Sequence, residues 1–259
     1  MNYQMRPPQS PPPIFLEIDR AMRLGKLSLA IALARQALNA GYANPVLYNL
    51  RAHGLRLDGR PEEALADMRQ ALSLEPNSAV IMAEIADCLN SLGRHKHALA
   101  AADDAIAVDR TMAKAWLHKG LALQHLSELP DARAAFLEAT RLDPNMADAH
   151  ARLAALANIS GAHDEVRKYA AKAEAVHPGH PIATIALVAT DLAEGKFERA
   201  EPRLAALLRD PDAPPLMRAN ALSHLGDLRD AQGRTHEAFD AYCRSKALWR
   251  AAYEGQHVS

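Results

Sequence analysis

At 259 residues, 49% hydrophobic and 24% charged, the chain is long enough to bury a sizeable core as one or two domains. Its formal net charge of −1 excludes a global attraction to nucleic acid or to an anionic membrane. There is no run of five or more Lys/Arg, and no uncharged apolar stretch approaches the roughly 18 residues of a membrane span.

The chain opens with MNYQMRPPQSPPPIF, in which five prolines fall between Pro7 and Pro13. Residues 1–11 therefore read as a Pro-rich disordered leader, with a polyproline ligand for an SH3-like domain as the other reading. The opening lacks the continuous apolar stretch of a signal peptide. The two cysteines, Cys88 and Cys243, have no C-x-x-C spacing, so free thiols in a cytoplasmic protein are expected.

From residue 12 onward the chain repeats itself. Gly25, Gly59, Gly93, Gly161 and Gly195 stand 34 residues apart, save for one gap of 68 in which Ser127 takes the missing place. Five residues after each comes a small apolar residue: Ala30, Ala64, Ala98, Ala132, Val166 and Ala200. Nine residues after come Ala34, Met68, Ala102, Phe136, Ala170 and Leu204. Within each half-repeat the apolar residues recur at i, i+3, i+4 and i+7, the period of a helix with one buried face. Each glycine falls where a first helix (A) must end and the chain reverse into a second (B), a place that favours left-handed dihedrals. Pro76, Pro144 and Pro178 lie between repeats, where a missing amide donor is harmless. Glu62 and Asp131 open B helices, where a carboxylate complements the helix dipole.

The expected boundaries are 12–44, 45–78, 79–112, 113–146, 147–180, 181–214 and 219–250, with a tail at 251–259. The spacing from Gly195 to Gly233 is 38, so four residues are inserted. They fall in Arg209–Asp–Pro–Asp–Ala–Pro–Pro215, which reads as a hinge, a change of pitch or a plain connection. After Gly233 a helix from Thr235 to about Tyr253 is expected to cap the array with a polar face carrying Arg244, Lys246 and Arg250.

The pattern resembles the tetratricopeptide repeat over Pro12 to Arg250. The fullest match is 113–146, with Trp116, Gly120, Leu123, Ala132, Phe136, Ala139 and Pro144 at the motif positions. The resemblance implies an all-α fold: a right-handed superhelical solenoid of about seven helix-turn-helix units, with A-helix residues lining a concave groove.

No catalytic signature is present: there is no G-x-x-x-x-G-K-[ST], G-x-G-x-x-G, G-x-S-x-G or H-E-x-x-H. The twelve histidines offer no set of three or four convergent ligands. His95 and His97 point to different sides of one helix, and His118 and His125 are two turns apart. Neither a metal nor a cofactor is expected.

The candidate functional residues are the A-helix side chains left over from packing. They are Asn49, His53, Arg56, Asp87, Asn90, His118, Leu121, Gln124, Arg152, Asn158, Ile185 and Leu192. With Ala189, the last two are expected to form an exposed apolar docking strip. A carboxylate clamp of the co-chaperone kind would fall on Asn49, His53, Glu84, Lys114 and His118, where Glu84 would repel the ligand. An asparagine ladder of the sugar-transferase kind is missing too, since the sixth positions read Leu50, Glu84, His118, Arg152, Ala186 and His224.

The expected role is thus a non-catalytic scaffold or adaptor. It would bind a protein or peptide partner in the concave groove, as a monomer or weak homodimer, without nucleic acid or membrane. Two alternatives stand beside it. The last repeat, Leu222-x-x-Leu225-Gly226-Asp227 through Ala247-Leu248, resembles the end of repeat arrays in bacterial sulfotransferase proteins, which implies a substrate-presenting module. The amphipathic end helix would instead suit a self-assembling structural protein.

Overall fold

The computed structural model describes residues 12–254, which form fourteen α-helices and, among those residues, no strand. The expected leader at 1–11 and the tail from 255 lie outside the described residues. The chain divides into two compact units, residues 1–128 and 129–259.

The first unit holds seven helices. They are α1 (Pro13–Arg23), α2 (Leu27–Asn39), α3 (Pro45–Leu57), α4 (Pro61–Leu74), α5 (Ala79–Ser91), α6 (His95–Val108) and α7 (Ala113–His125). Each packs on the next up to α7, and α5 also touches α7. Local chemistry sets the ends. Asn44 caps α3 by accepting the Val46 amide at 2.8 Å, and Pro45 follows at the first helical position, where its missing N–H removes nothing.

The A-to-B connections share one geometry. At Gly59 the backbone is left-handed (φ 71°), and Arg60 N–H reaches Leu55 O while Gly59 N–H reaches Arg56 O. Two of the last carbonyls of α3 are thereby satisfied. Ser127 closes α7 with the same pair of bonds, to Leu123 O and Gln124 O, at φ 65°, the one non-glycine among the described residues with positive φ. The sequence register at that position is kept although its glycine is not.

The second unit contains α8 (Leu129–Leu142), α9 (Ala147–Ile159), α10 (His163–Val176), α11 (Pro181–Ala193), α12 (Phe197–Arg209), α13 (Pro215–Ala231) and α14 (Thr235–Glu254). Here α11 packs on both α9 and α13, while α12 leans on α11 and α13. The four-residue insertion is held in place. Arg218 at the start of α13 donates to the carbonyls of Asp210 and Pro211 at 2.6 and 2.8 Å.

Both apolar series read from the sequence are core in both units. From Ala30 to Ala200 and from Ala34 to Leu204, no member is more than 1% exposed. Small residues in those places let the backbones approach, so stability is shared between adjacent helix pairs. Two helical glycines serve the same end: a Cβ on Gly54 would sit 2.6 Å from Ile31 Cγ2, and one on Gly226 only 2.4 Å from Tyr242 Cε1.

The end helix α14 does carry Arg244, Lys246 and Arg250 exposed. It also exposes Phe239 and Tyr242, so its outer face is less polar than the sequence implies.

Candidate functional site

In the first unit the leftover A-helix residues meet each other. Asp87 and Glu84 on α5 receive Arg56 from α3: Arg56 Nη2 pairs with Asp87, and Nη1 lies 3.2 Å from Glu84 Oε2. Lys114 from α7 approaches Glu84 Oε1 at 3.2 Å, and His118 Nδ1 lies 3.6 Å from Asp87 Oδ1. Asn90 donates to the carbonyl of His118 at 2.9 Å and faces His95, whose ring stacks on His125 with centroids 4.2 Å apart.

Arg56, Asp87, Asn90 and His118 therefore do not stand free toward a ligand as the sequence reading placed them. They brace three successive A helices, and a partner meets them already fixed. Burial lowers the pKa of His118, with Asp87 and Glu84 pulling the other way. Desolvation penalises the imidazolium, so the ring stays neutral near pH 7. The carboxylate clamp fails for a second reason: Glu84 already engages both Arg56 and Lys114.

Asn49, His53 and Leu121 are half-buried along the same row. So is Gln124, whose Oε1 is inaccessible and has no hydrogen-bond partner among the described residues.

The expected apolar strip is partly covered. Ile185, Ala189 and Leu192 are half-buried, and Ile185 and Leu192 pack against the cluster of Val188, Ala200, Leu204, Leu207, Ala213, Ala221 and Leu228. Asn158 is half-buried near the end of α9.

Several polar residues were missed. Asp191 on α11 is wholly buried and takes Arg167 Nη1 at 3.1 Å and Arg203 Nη1 at 2.7 Å. Arg167 also engages Glu194, which Lys196 reaches at 2.5 Å. The Lys196 hydrogen bond first, and then Arg167, hold the Glu194 carboxyl down at about 2. In the first unit Asp67, also buried, receives Arg51 in a two-point contact at 2.7 and 2.6 Å.

Arg152 lines a cavity of about 970 Å³ in the second unit. Its walls come from α9 and α11, from α12 at Ala206 and Leu207, from the inserted loop at Asp210 and Asp212, and from Leu216 and Met217 of α13. The insertion is more than a plain connection, since it forms one wall. His180 lies inside at 4% exposure, with Nε2 3.1 Å from Asp148 Oδ1 and Nδ1 buried without a partner. That bond, ahead of the other contributions, lowers the Asp148 pKa.

Among the described residues no three His, Cys, Asp or Glu side chains converge to hold a metal, and no helix is long and apolar enough to cross a membrane. Cys88 is buried, which pushes its thiol up to about 11.

Stacked helix pairs with a row of side chains along one helix of each pair define a helical-repeat scaffold, a class of fold that serves protein interaction in general. Residues 55–117 and 91–147 each match a model of the tetratricopeptide repeat. Over residues 55–147 the chain is thus similar to the tetratricopeptide repeat, and the helix pairs on either side continue the same all-α repeat architecture.

Solved structures agree on the fold. A tetratricopeptide repeat protein from Parabacteroides merdae is 20% identical, with 91% of this chain and 92% of that one covered and a TM-score of 0.63. PilW, a type IV pilus biogenesis factor, is 23% identical over 76% of this chain and 91% of its own, at 0.62. In the APC/C hetero-tetramer Cut9–Hcn1 the match is 15% identical over 91% of this chain and 46% of that one, at 0.73. At such identities the likeness shows the fold alone. Among curated proteins, none matches in sequence.

Proposed function

We propose that this chain is a non-catalytic adaptor that holds a segment of a partner protein along the A-helix row of its first unit, α3, α5 and α7. The supporting observation is the braced strip Arg56–Glu84–Asp87–Lys114–His118, flanked by Asn49, His53 and Leu121. Side chains already fixed by one another lose little freedom when a partner docks, so more of the contact energy remains as affinity. Opposite charges fixed side by side select a partner with the complementary pattern. In this role the protein works in the cytoplasm as a monomer or weak homodimer, without nucleic acid, membrane or cofactor. Gln124 extends this row within the first unit, while Arg152 and Asn158 offer contacts of their own in the second.

The test is affinity capture from source cells with the wild-type chain and with the double variant His53→Glu/Lys114→Glu. Circular dichroism establishes that the helices are intact. A specific protein captured by the wild type should be lost from the variant. Equal recovery by both, with the fold intact, would remove the first-unit row from the interaction. Ile185→Asp is unsuitable as a probe, because that side chain is half-buried against the core cluster and the variant would also report on folding.

A further inference from the structure

The cavity of the second unit is built unlike a peptide groove. Its walls carry no Asn, Gln, Ser or Tyr, and four of its residues are the prolines Pro178, Pro181, Pro202 and Pro214. An extended chain would bring a backbone donor and acceptor at every residue and find few neutral partners there. A volume of about 970 Å³ lies in the range of small-molecule sites.

The charges inside are placed at two ends. Arg152, on α9, makes no hydrogen bond or ion pair with any described residue, and burial lowers its pKa while Asp148 only partly offsets this. Its neighbour Asp148 is engaged by His180. The second basic residue of the lining, Arg203, is already taken by Asp191. At the other end, Asp210 and Asp212 of the inserted loop form no ion pair among the described residues; the Asp210 carboxylate accepts the Asp212 amide, and Arg218 holds the Asp210 backbone carbonyl. Because α11 packs on both α9 and α13, Arg152 and the two aspartates line the cavity from different elements. Between them lie Ile182, Ala206, Leu207, Leu216 and Met217.

We infer that this cavity binds a small zwitterion with an apolar body, its carboxylate on Arg152 and its ammonium between Asp210 and Asp212. A planar guanidinium without an acceptor takes a carboxylate through two parallel hydrogen bonds. The two aspartates supply the opposite charge, and the apolar wall takes the carbon chain. Arg218 fixes the loop carbonyls, so the aspartates are held in place before the ligand arrives. Glu174, on α10, also lines the cavity and disfavours a ligand that carries only negative charge.

Titration calorimetry on the full chain tests this with four probes: 8-aminooctanoate, octanoate, octylammonium and trileucine. The first carries both charges on one apolar chain, and the next two carry one charge each. The expected order has 8-aminooctanoate tightest, with each singly charged probe at least about tenfold weaker. Trileucine, whose backbone amides find few partners on these walls, should bind more weakly than 8-aminooctanoate. Arg152→Gln should remove the advantage of 8-aminooctanoate over octylammonium. Asp210→Asn/Asp212→Asn should remove its advantage over octanoate, and Ile182→Trp, which narrows the cavity at its apolar wall, should weaken binding of every probe.

Equal binding of octanoate and 8-aminooctanoate by the wild type, or an Ile182→Trp protein that binds normally, overturns the assignment. So does a wild type that binds none of the four. Loss of zwitterion binding leaves the first-unit capture experiment untouched, so the two outcomes are independent.

Discussion

Gly226 lies on α13 where Tyr242 of α14 crosses it. A Cβ there would meet Tyr242 Cε1, Cδ1 and Cζ at 2.4, 2.6 and 2.7 Å. The ring has little freedom to retreat, because its hydroxyl donates to Asp227 Oδ1 at 2.8 Å. In an unobstructed helix Gly→Ala stabilises by about 1 kcal/mol. Here overpacking costs about 1–3 kcal/mol, and a lost hydrogen bond adds about 1 kcal/mol at most. The balance is a net destabilisation of about 1–2 kcal/mol, which lowers Tm by about 2–8 °C for a chain of this size. Thermal melts followed by circular dichroism measure it. The sign carries the decision: Gly226→Ala as stable as wild type would refute the steric reasoning. A double-mutant cycle sharpens it, since in a Tyr242→Ala background the same substitution should become stabilising by about 1 kcal/mol.

Ser127→Gly should stabilise by about 1 kcal/mol, seen as a raised urea midpoint, because serine occupies a left-handed turn that glycine fills without strain. Asp191→Asn should destabilise by about 3 kcal/mol in the same assay, since it leaves Arg167 and Arg203 facing a neutral amide in a buried place. Glu194 has its folded pKa depressed to about 2 from 4.5, so its stabilising effect is complete above pH 4.5 and is lost as the pH falls toward 2. Stability-versus-pH curves of wild type and Glu194→Gln should converge across that window and separate above it; parallel curves count against the pairing.

The helices, their ends and the packing residues were legible because each is set by neighbours within a turn or two. A glycine 34 residues from the last, an alanine five further on and a proline between pairs carry the same physical demand wherever they recur. Ser127 shows how strong that demand is, since the turn persists without the residue that suits it best. The polar row was half-legible. Arg56, Asp87, Asn90 and His118 were found as leftover A-helix positions, but taken as free. A signal was present: Arg56 and Asp87 stand 31 residues apart, one repeat less a turn, which sets opposite charges side by side on consecutive A helices.

Ile185 and Leu192 were legible as an apolar stripe but not as half-covered. The sequence period identifies an apolar face but not how far neighbouring helices will cover it, and here both side chains pack partly against the core. Asp191 was invisible, because its arginines arrive from α10 and α12 at separations with no fixed period. The sequence by itself thus determined the repeat, the fourteen helices and the core, all products of short-range periodicity. Only the tertiary structure decided which charges neutralise one another and which, like Arg152, are left facing a cavity. That depends on the three-dimensional approach of several helices and on a loop held by Arg218.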